Sequence, residues 1–169
     1  GTGDITRIYQ NNGGTFTDIN AGLSGVGAGS SSWGDYDNDG DKDLFTTSLL
    51  ASVKLYKNEG SLSMVDITSS AGFPSTSNYT FGNCWADYDL DGDLDVYISN
   101  YNGIGFGDPT VTNLLYRNNG DDTFTDVTFE AGVDGDHCYT FMSLWLDING
   151  DLWPDLYSIN DRYECRDYL

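Results

Sequence analysis

Basic residues are scarce: 7 Lys and Arg stand against 27 Asp and Glu in 169 residues, a formal charge of −20. Nucleic acids and anionic membrane surfaces select Lys/Arg-rich faces, so this charge argues against both as partners. Long apolar runs are absent, so no helix is expected to insert in a membrane. Proline is rare, at 3 residues, and aromatics reach 14%, which together argue against disorder despite the charge. Glutamate is nearly missing: 3 Glu accompany 24 Asp. Asp disfavours helices and suits turns and hard-cation sites, so the bias points to β structure with cations in its loops. The lone His137 argues against a Ser-His-Asp triad, and there is no Gly-Lys-Ser/Thr phosphate loop. The carboxylates are plentiful, but a chelated carboxylate is a poor general acid. The expectation is a protein that is not an enzyme. Three cysteines allow one disulfide and one leftover thiol, without zinc or redox spacing. The sequence opens on Gly1 with no signal-peptide pattern, as in a mature product or a piece of a longer chain.

What is present is repetition. Trp33-Gly-Asp35-Tyr-Asp37-Asn-Asp39-Gly40-Asp41-Lys-Asp43 returns as Trp85-Ala-Asp87-Tyr-Asp89-Leu-Asp91-Gly92-Asp93-Leu-Asp95. A degraded copy is Trp145-Leu-Asp147-Ile-Asn149-Gly-Asp151-Leu-Trp153-Pro-Asp155. A second block, Tyr9-Gln-Asn11-Asn-Gly13, returns at Tyr56–Gly60 and Tyr116–Gly120, each time followed by a short β-like stretch ending in Asp and then Ala-Gly. The first Asp of each acidic loop falls at 35, 87 and 147, so the periods are 52 and 60; the excess sits in a Gly-rich insertion, Tyr101 to Thr112. Stretches near 30–36, 43–50, 53–58 and 63–68 are β-branched and aromatic between Gly, Asn and Asp clusters, and no stretch has a helical apolar period. Four antiparallel strands per such unit make a propeller blade. The expected fold is therefore all-β, with β-propeller-type four-stranded antiparallel blades and about three blade units. Residues 5–20 supply a half blade, 30–68 and 80–128 whole blades, and 140–169 another half blade.

Within each acidic loop, oxygen side chains stand at positions 1, 3, 5 and 9, with a backbone carbonyl available at position 7. Calcium takes six to eight hard oxygens and suits such a curled loop. The candidate metal ligands are Asp35, Asp37, Asp39, Asp41 and Asp43; Asp87, Asp89, Asp91, Asp93 and Asp95; and Asp147, Asn149, Asp151, Trp153 and Asp155. Asp41, Asp93 and Trp153 would act through their carbonyls. Three calcium ions would take the charge from −20 to −14. An EF-hand needs an acid at position 12, where Thr46, Ile98 and Ser158 stand instead. The third loop is weaker, since Leu152 replaces the glycine and Asn149 an acid.

The segments Trp33–Asp43 with Leu55-Tyr-Lys-Asn58, and Trp85–Asp95 with Leu115–Gly120 and Phe124-Thr-Asp-Val-Thr128, resemble FG-GAP/VCBS repeats. Such repeats occur in integrin α-subunit propellers, fungal propeller lectins and secreted bacterial proteins. The resemblance implies calcium between the first and second strands of each blade. Rings of that family usually close with about seven blades, against three here.

Three blades are too few for a ring, since propellers start at four. The chain is then a fragment of a longer propeller, or it self-associates head to tail through its complementary half blades into a ring or filament, or it is an open stack of sheets. Sequence supports a second class of role as well, adhesion to a glycan or protein ligand through the insertion loop. Cys138 and Cys165 fall in one blade and on one face, which favours their pairing over Cys84. Asn78 in Asn-Tyr-Thr is a candidate glycosylation site, and extracellular calcium levels suit the loops; the expected location is secreted or cell-surface. Trp33, Trp85, Trp145, Tyr56 and Tyr116 are expected in the core, and His137 in an ordinary loop.

Overall fold

The computed structural model describes residues 6–61, 63–75, 79–101, 112–135 and 138–160. It is built of antiparallel sheets. A hairpin, β1 (Tyr9–Asn11) and β2 (Phe16–Asp18), leads into a four-stranded sheet of β3 (Ser31–Gly34), β4 (Asp43–Thr46), β5 (Lys54–Asn58) and β6 (Met64–Asp66). A second four-stranded sheet follows, with β7 (Thr80–Ala86), β8 (Asp95–Asn100), β9 (Leu114–Asn118) and β10 (Phe124–Asp126). A last hairpin pairs β11 (Thr140–Leu146) with β12 (Asp155–Asn160). Both large sheets are meanders in chain order, consistent with blade-like units. Among the described residues, no helix is long and apolar enough to cross a membrane.

The registers show which strands correspond. Trp33 opposes Leu44, Trp85 opposes Val96 and Trp145 opposes Leu156, so β11–β12 is a first-and-second-strand pair. Tyr56 opposes Asp66, Tyr116 opposes Asp126 and Tyr9 opposes Asp18, so β1–β2 is a third-and-fourth-strand pair. The turn after each third strand is set by an Asn carbonyl oxygen accepting a glycine amide: Gly60 to Asn58 at 3.2 Å, Gly120 to Asn118 at 3.0 Å, Gly14 to Asn11 at 2.8 Å. Each fourth strand ends where its Asp accepts the amide two residues on, as Thr68 does to Asp66 at 3.1 Å.

The core lies between sheets, as the alternation of strand residues requires. Tyr36, Phe45, Leu55, Ala71 and Phe73 from the first sheet meet Val96, Ile98, Tyr116 and Phe124 from the second. Trp85 stands edge-on to Phe45, with centroids 5.7 Å apart. Each such side chain contributes about 1.5–3 kcal/mol when fully buried. A smaller cluster joins Tyr97, Leu115 and Val127 to Trp145 and Leu156. First strands approach closely: a Cβ on Gly82 would stand 2.7 Å from the Phe141 carbonyl oxygen. The seams between sheets are polar here, with a Ser32 hydroxyl bonded to Asn83 between first strands and a Ser99–Ser143 contact of 3.0 Å between β8 and β11.

The all-β expectation holds, with one four-residue helical turn among the described residues, α1 (Thr128–Ala131), closed by Gly132 at φ 71°. Two expectations need correction. The strands are shorter than 30–36, 43–50 and 63–68. And Trp33 is not core: it is 47% exposed, although Trp85 and Trp145 pack on the sheet before them. Trp33 lacks that support because the hairpin before it has no first and second strands. Tyr56 and Tyr116 are buried as expected. Asn78, His137, Cys165 and insertion residues 102–111 lie outside the described residues.

Candidate metal centre

Each acidic loop joins a first to a second strand and is wound by its own side chains. In the first, the Asp35 carboxylate accepts the Gly40 amide at 3.4 Å, and Asp39 accepts Asp41 at 2.8 Å. In the second, Asp87 accepts Gly92 at 3.0 Å and Asp91 accepts Asp93 at 2.9 Å. Two left-handed residues make the curl: Asn38, Leu90 and Gly150 at position 4, and Gly40, Gly92 and Leu152 at position 6. Sequence reading finds position 6 from its glycine and misses position 4, where Leu90 carries no turn signal.

The ninth-position Asp ties the loop to the sheet. Asp43 accepts the amides of Asn58 at 2.9 Å and Tyr36 at 3.1 Å; Asp95 accepts those of Asn118 at 2.8 Å and Tyr88 at 3.1 Å. Both carboxylates are fully buried. Burial pushes Asp43 up to about 6 and Asp95 up to about 7, with neighbouring aspartates adding to the rise against these amide bonds.

Two groups of carboxylates converge. Oxygens of Asp35, Asp37 and Asp39 lie within 4.8 Å of one another, as do those of Asp87, Asp89 and Asp95. Asp41 and Asp43 are outside the first group, and Asp91 and Asp93 outside the second. The third loop forms no such group among the described residues. There Asp147 is spent on the amides of Gly150 at 2.6 Å, Asp151 at 3.2 Å and Leu152 at 2.9 Å, while Asn149 accepts from Asp151 and Trp153 is exposed.

The second loop fits a cation well. The Oδ1 atoms of Asp87 and Asp89 are buried without a hydrogen-bond partner, and no Lys or Arg pairs with this loop among the described residues. Unpartnered buried carboxylate oxygens are costly unless a cation meets them. The first loop differs: the Lys57 ammonium stands 2.9 Å from Asp37 and 2.9 Å from Asp122, and Lys42 3.7 Å from Asp35. Asp37, then Asp122, holds Lys57 well above its ordinary value. Asp122 also accepts the Tyr36 hydroxyl at 2.7 Å, and Asn38 reaches across to Asp93 at 2.9 Å, so the loops of adjacent sheets are linked. Neither Lys57 nor Asp122 could be singled out from spacing, because Asp122 comes from the second unit to meet Lys57 and Tyr36 of the first, and Lys57 stands 20 residues from Asp37.

The loop spacing, the meander and the paired carboxylates meet in one stretch. Residues 35–98 match a family model described as an FG-GAP-like repeat. The FG-GAP-like span runs from the first acidic loop through β4, β5, β6 and β7 and the second loop into β8. It therefore holds both carboxylate groups. A comparison with curated proteins finds no match. Of the cysteines, Cys84 is a free thiol packed beside Trp145, its titration pushed up to about 12 by burial. Cys138 is disulfide-bonded, and its expected partner Cys165 lies outside the described residues.

Proposed function

We propose that this chain is an extracellular calcium-binding repeat protein of the β-propeller type, with a structural and self-associating role and no catalytic activity. The observation that carries the reading is the second loop: three converging carboxylates, two of their oxygens buried and unpartnered, and no Lys or Arg among the described residues to neutralise them. Asp87, Asp89 and Asp95 would hold one ion, and Asp35, Asp37 and Asp39 a second, with calcium favoured by the all-oxygen donor set. The ion supplies positive charge that removes carboxylate repulsion and fixes the loop against the sheet. Millimolar extracellular calcium suits acidic loop sites of this kind.

The test is calorimetric titration of metal-free protein with calcium, paired with thermal melts. Two ions should bind and the melting temperature should rise. The double variant Asp87→Asn with Asp89→Asn should lose one ion and part of that rise. Absence of calcium binding would defeat the reading.

A further inference from the structure

The two acidic loops are joined through Asn38. At position 4 of the first loop, it donates its side-chain amide to the Asp93 carboxylate at 2.9 Å and to the Gly92 carbonyl at 3.3 Å, positions 7 and 6 of the second. Both partners are acceptors, so the nitrogen of the Asn38 side chain faces them. The peptide between Gly92 and Asp93 is where the second loop curls. Beside it, the Gly92 amide donates to the Asp87 carboxylate at 3.0 Å, and the Asp93 amide to that of Asp91 at 2.9 Å. From the first loop, Asn38 thus holds the turn that aims Asp87, one of the three converging carboxylates of the second.

We infer that Asn38 is a positioning residue for the second calcium site and couples the two sites, so that filling the first loop tightens the second. The inference rests on the calcium reading proposed above and adds a regulation to it. Asn38 lies between Asp37 and Asp39, two of the three carboxylates that converge in the first loop, and sits at φ 59°. Drawing those carboxylates onto one ion fixes the backbone from which Asn38 reaches across. In the loop's own wiring, the amides of Asp39 and Gly40 reach Asp37 and Asp35 at 3.3 and 3.4 Å, longer than the 2.9 and 3.0 Å bonds of the second loop. Asn38 itself is exposed, so this wiring is what places it. Ordering a loop costs conformational entropy, and a brace ordered by the first ion leaves less to order for the second.

Buried contacts behind the loops keep them at this spacing. The Asn118 side chain donates to the Tyr36 carbonyl at 2.8 Å, while the Asn118 backbone amide donates to Asp95 at 2.8 Å. Tyr36 is anchored in turn by its own amide on Asp43 at 3.1 Å and its hydroxyl on Asp122 at 2.7 Å. Asn38 is thereby the exposed link in a buried frame. Position 4 of the second loop is Leu90, which has no side-chain donor to offer a third loop.

Calorimetric titration of calcium into the parent and into Asn38→Gly tests this. Glycine keeps the left-handed backbone and removes the amide. In each chain the sites are also measured singly, with the other loop disabled by Asp35→Asn with Asp39→Asn, or by Asp87→Asn with Asp89→Asn. Independent sites give a product of two binding constants equal to the product of the single-site values, and coupled sites exceed it. Charge lost with the disabled loop acts alike in both chains, and a merely structural weakening lowers every constant without changing the excess. The excess is expected to be roughly fivefold larger in the parent than in Asn38→Gly, at the low end of couplings between sites. Asn38→Asp, which keeps the turn and exchanges the donor for an acceptor, is expected to lose the excess as glycine does. An equal excess in parent and variants, or none in the parent, overturns the coupling while leaving the metal reading intact. A parent that binds no calcium at either loop overturns both.

Discussion

Lys57 is the closer of two lysines that set the first acidic loop apart from the second. Lys57 brings an ammonium to 2.9 Å from Asp37 and competes with any cation there, while among the described residues its counterpart Arg117 forms no ion pair with the second loop. Removing the ammonium has opposite effects with and without metal. The metal-free protein loses a counter-ion and becomes less stable; the loaded protein no longer has to displace one. Lys57→Met is therefore expected to lower the melting temperature in chelator and to tighten calcium at the proposed Asp35–Asp37–Asp39 site by roughly tenfold, about 1.4 kcal/mol. Equal affinities in variant and wild type would show that Lys57 does not gate the first loop. The third loop differs in what its carboxylates do: Asp147 accepts the amides of Gly150, Asp151 and Leu152, and Asn149 stands where the other loops have an acid.

The strands and the loops between them were legible in the sequence to different degrees. The acidic loops were found because ligand spacing is local, and Asp35, Asp37, Asp39, Asp87, Asp89 and Asp95 indeed come together. The four-stranded meanders followed from β-rich stretches between turn residues. The exposure of Trp33 is hidden from the sequence because burial depends on the neighbouring sheet, which pattern within one unit cannot report. The close approach of first strands was also hidden. Gly82 faces the Phe141 backbone oxygen, and a Cβ there would stand at 2.7 Å, so β7 and β11 would have to separate. Gly82→Ala is expected to destabilise the fold by about 1–3 kcal/mol, the cost typical of overpacking. Denaturant unfolding in calcium measures it; a variant as stable as the parent would mean that β7 and β11 do not approach this closely.

For the molecule as a whole, charge decides how stability follows pH. Asp43 and Asp95 titrate near 6 and 7 in the folded chain, above the ordinary unfolded value of about 3.9. The metal-free fold thus binds more protons than the unfolded chain between those values. Its stability is highest near the lower limit and falls as pH rises through the folded values. Asp66 and Asp122 are shifted downward, by Lys54 and Thr68 for the first and by Tyr36 and Lys57 for the second, so their contribution is complete above about 3.9 and does not reverse this slope. Self-repulsion at a formal −20 acts in the same direction. Calcium inverts the order, because an ion bound to deprotonated carboxylates gains as protons leave. Thermal melts across the weakly acidic to neutral range should therefore fall with pH in metal-free buffer and rise with pH in calcium. A metal-free curve that climbs toward neutrality would mean that these buried carboxylates are neutralised from within the protein, and the case for an ion in the acidic loops would go with it.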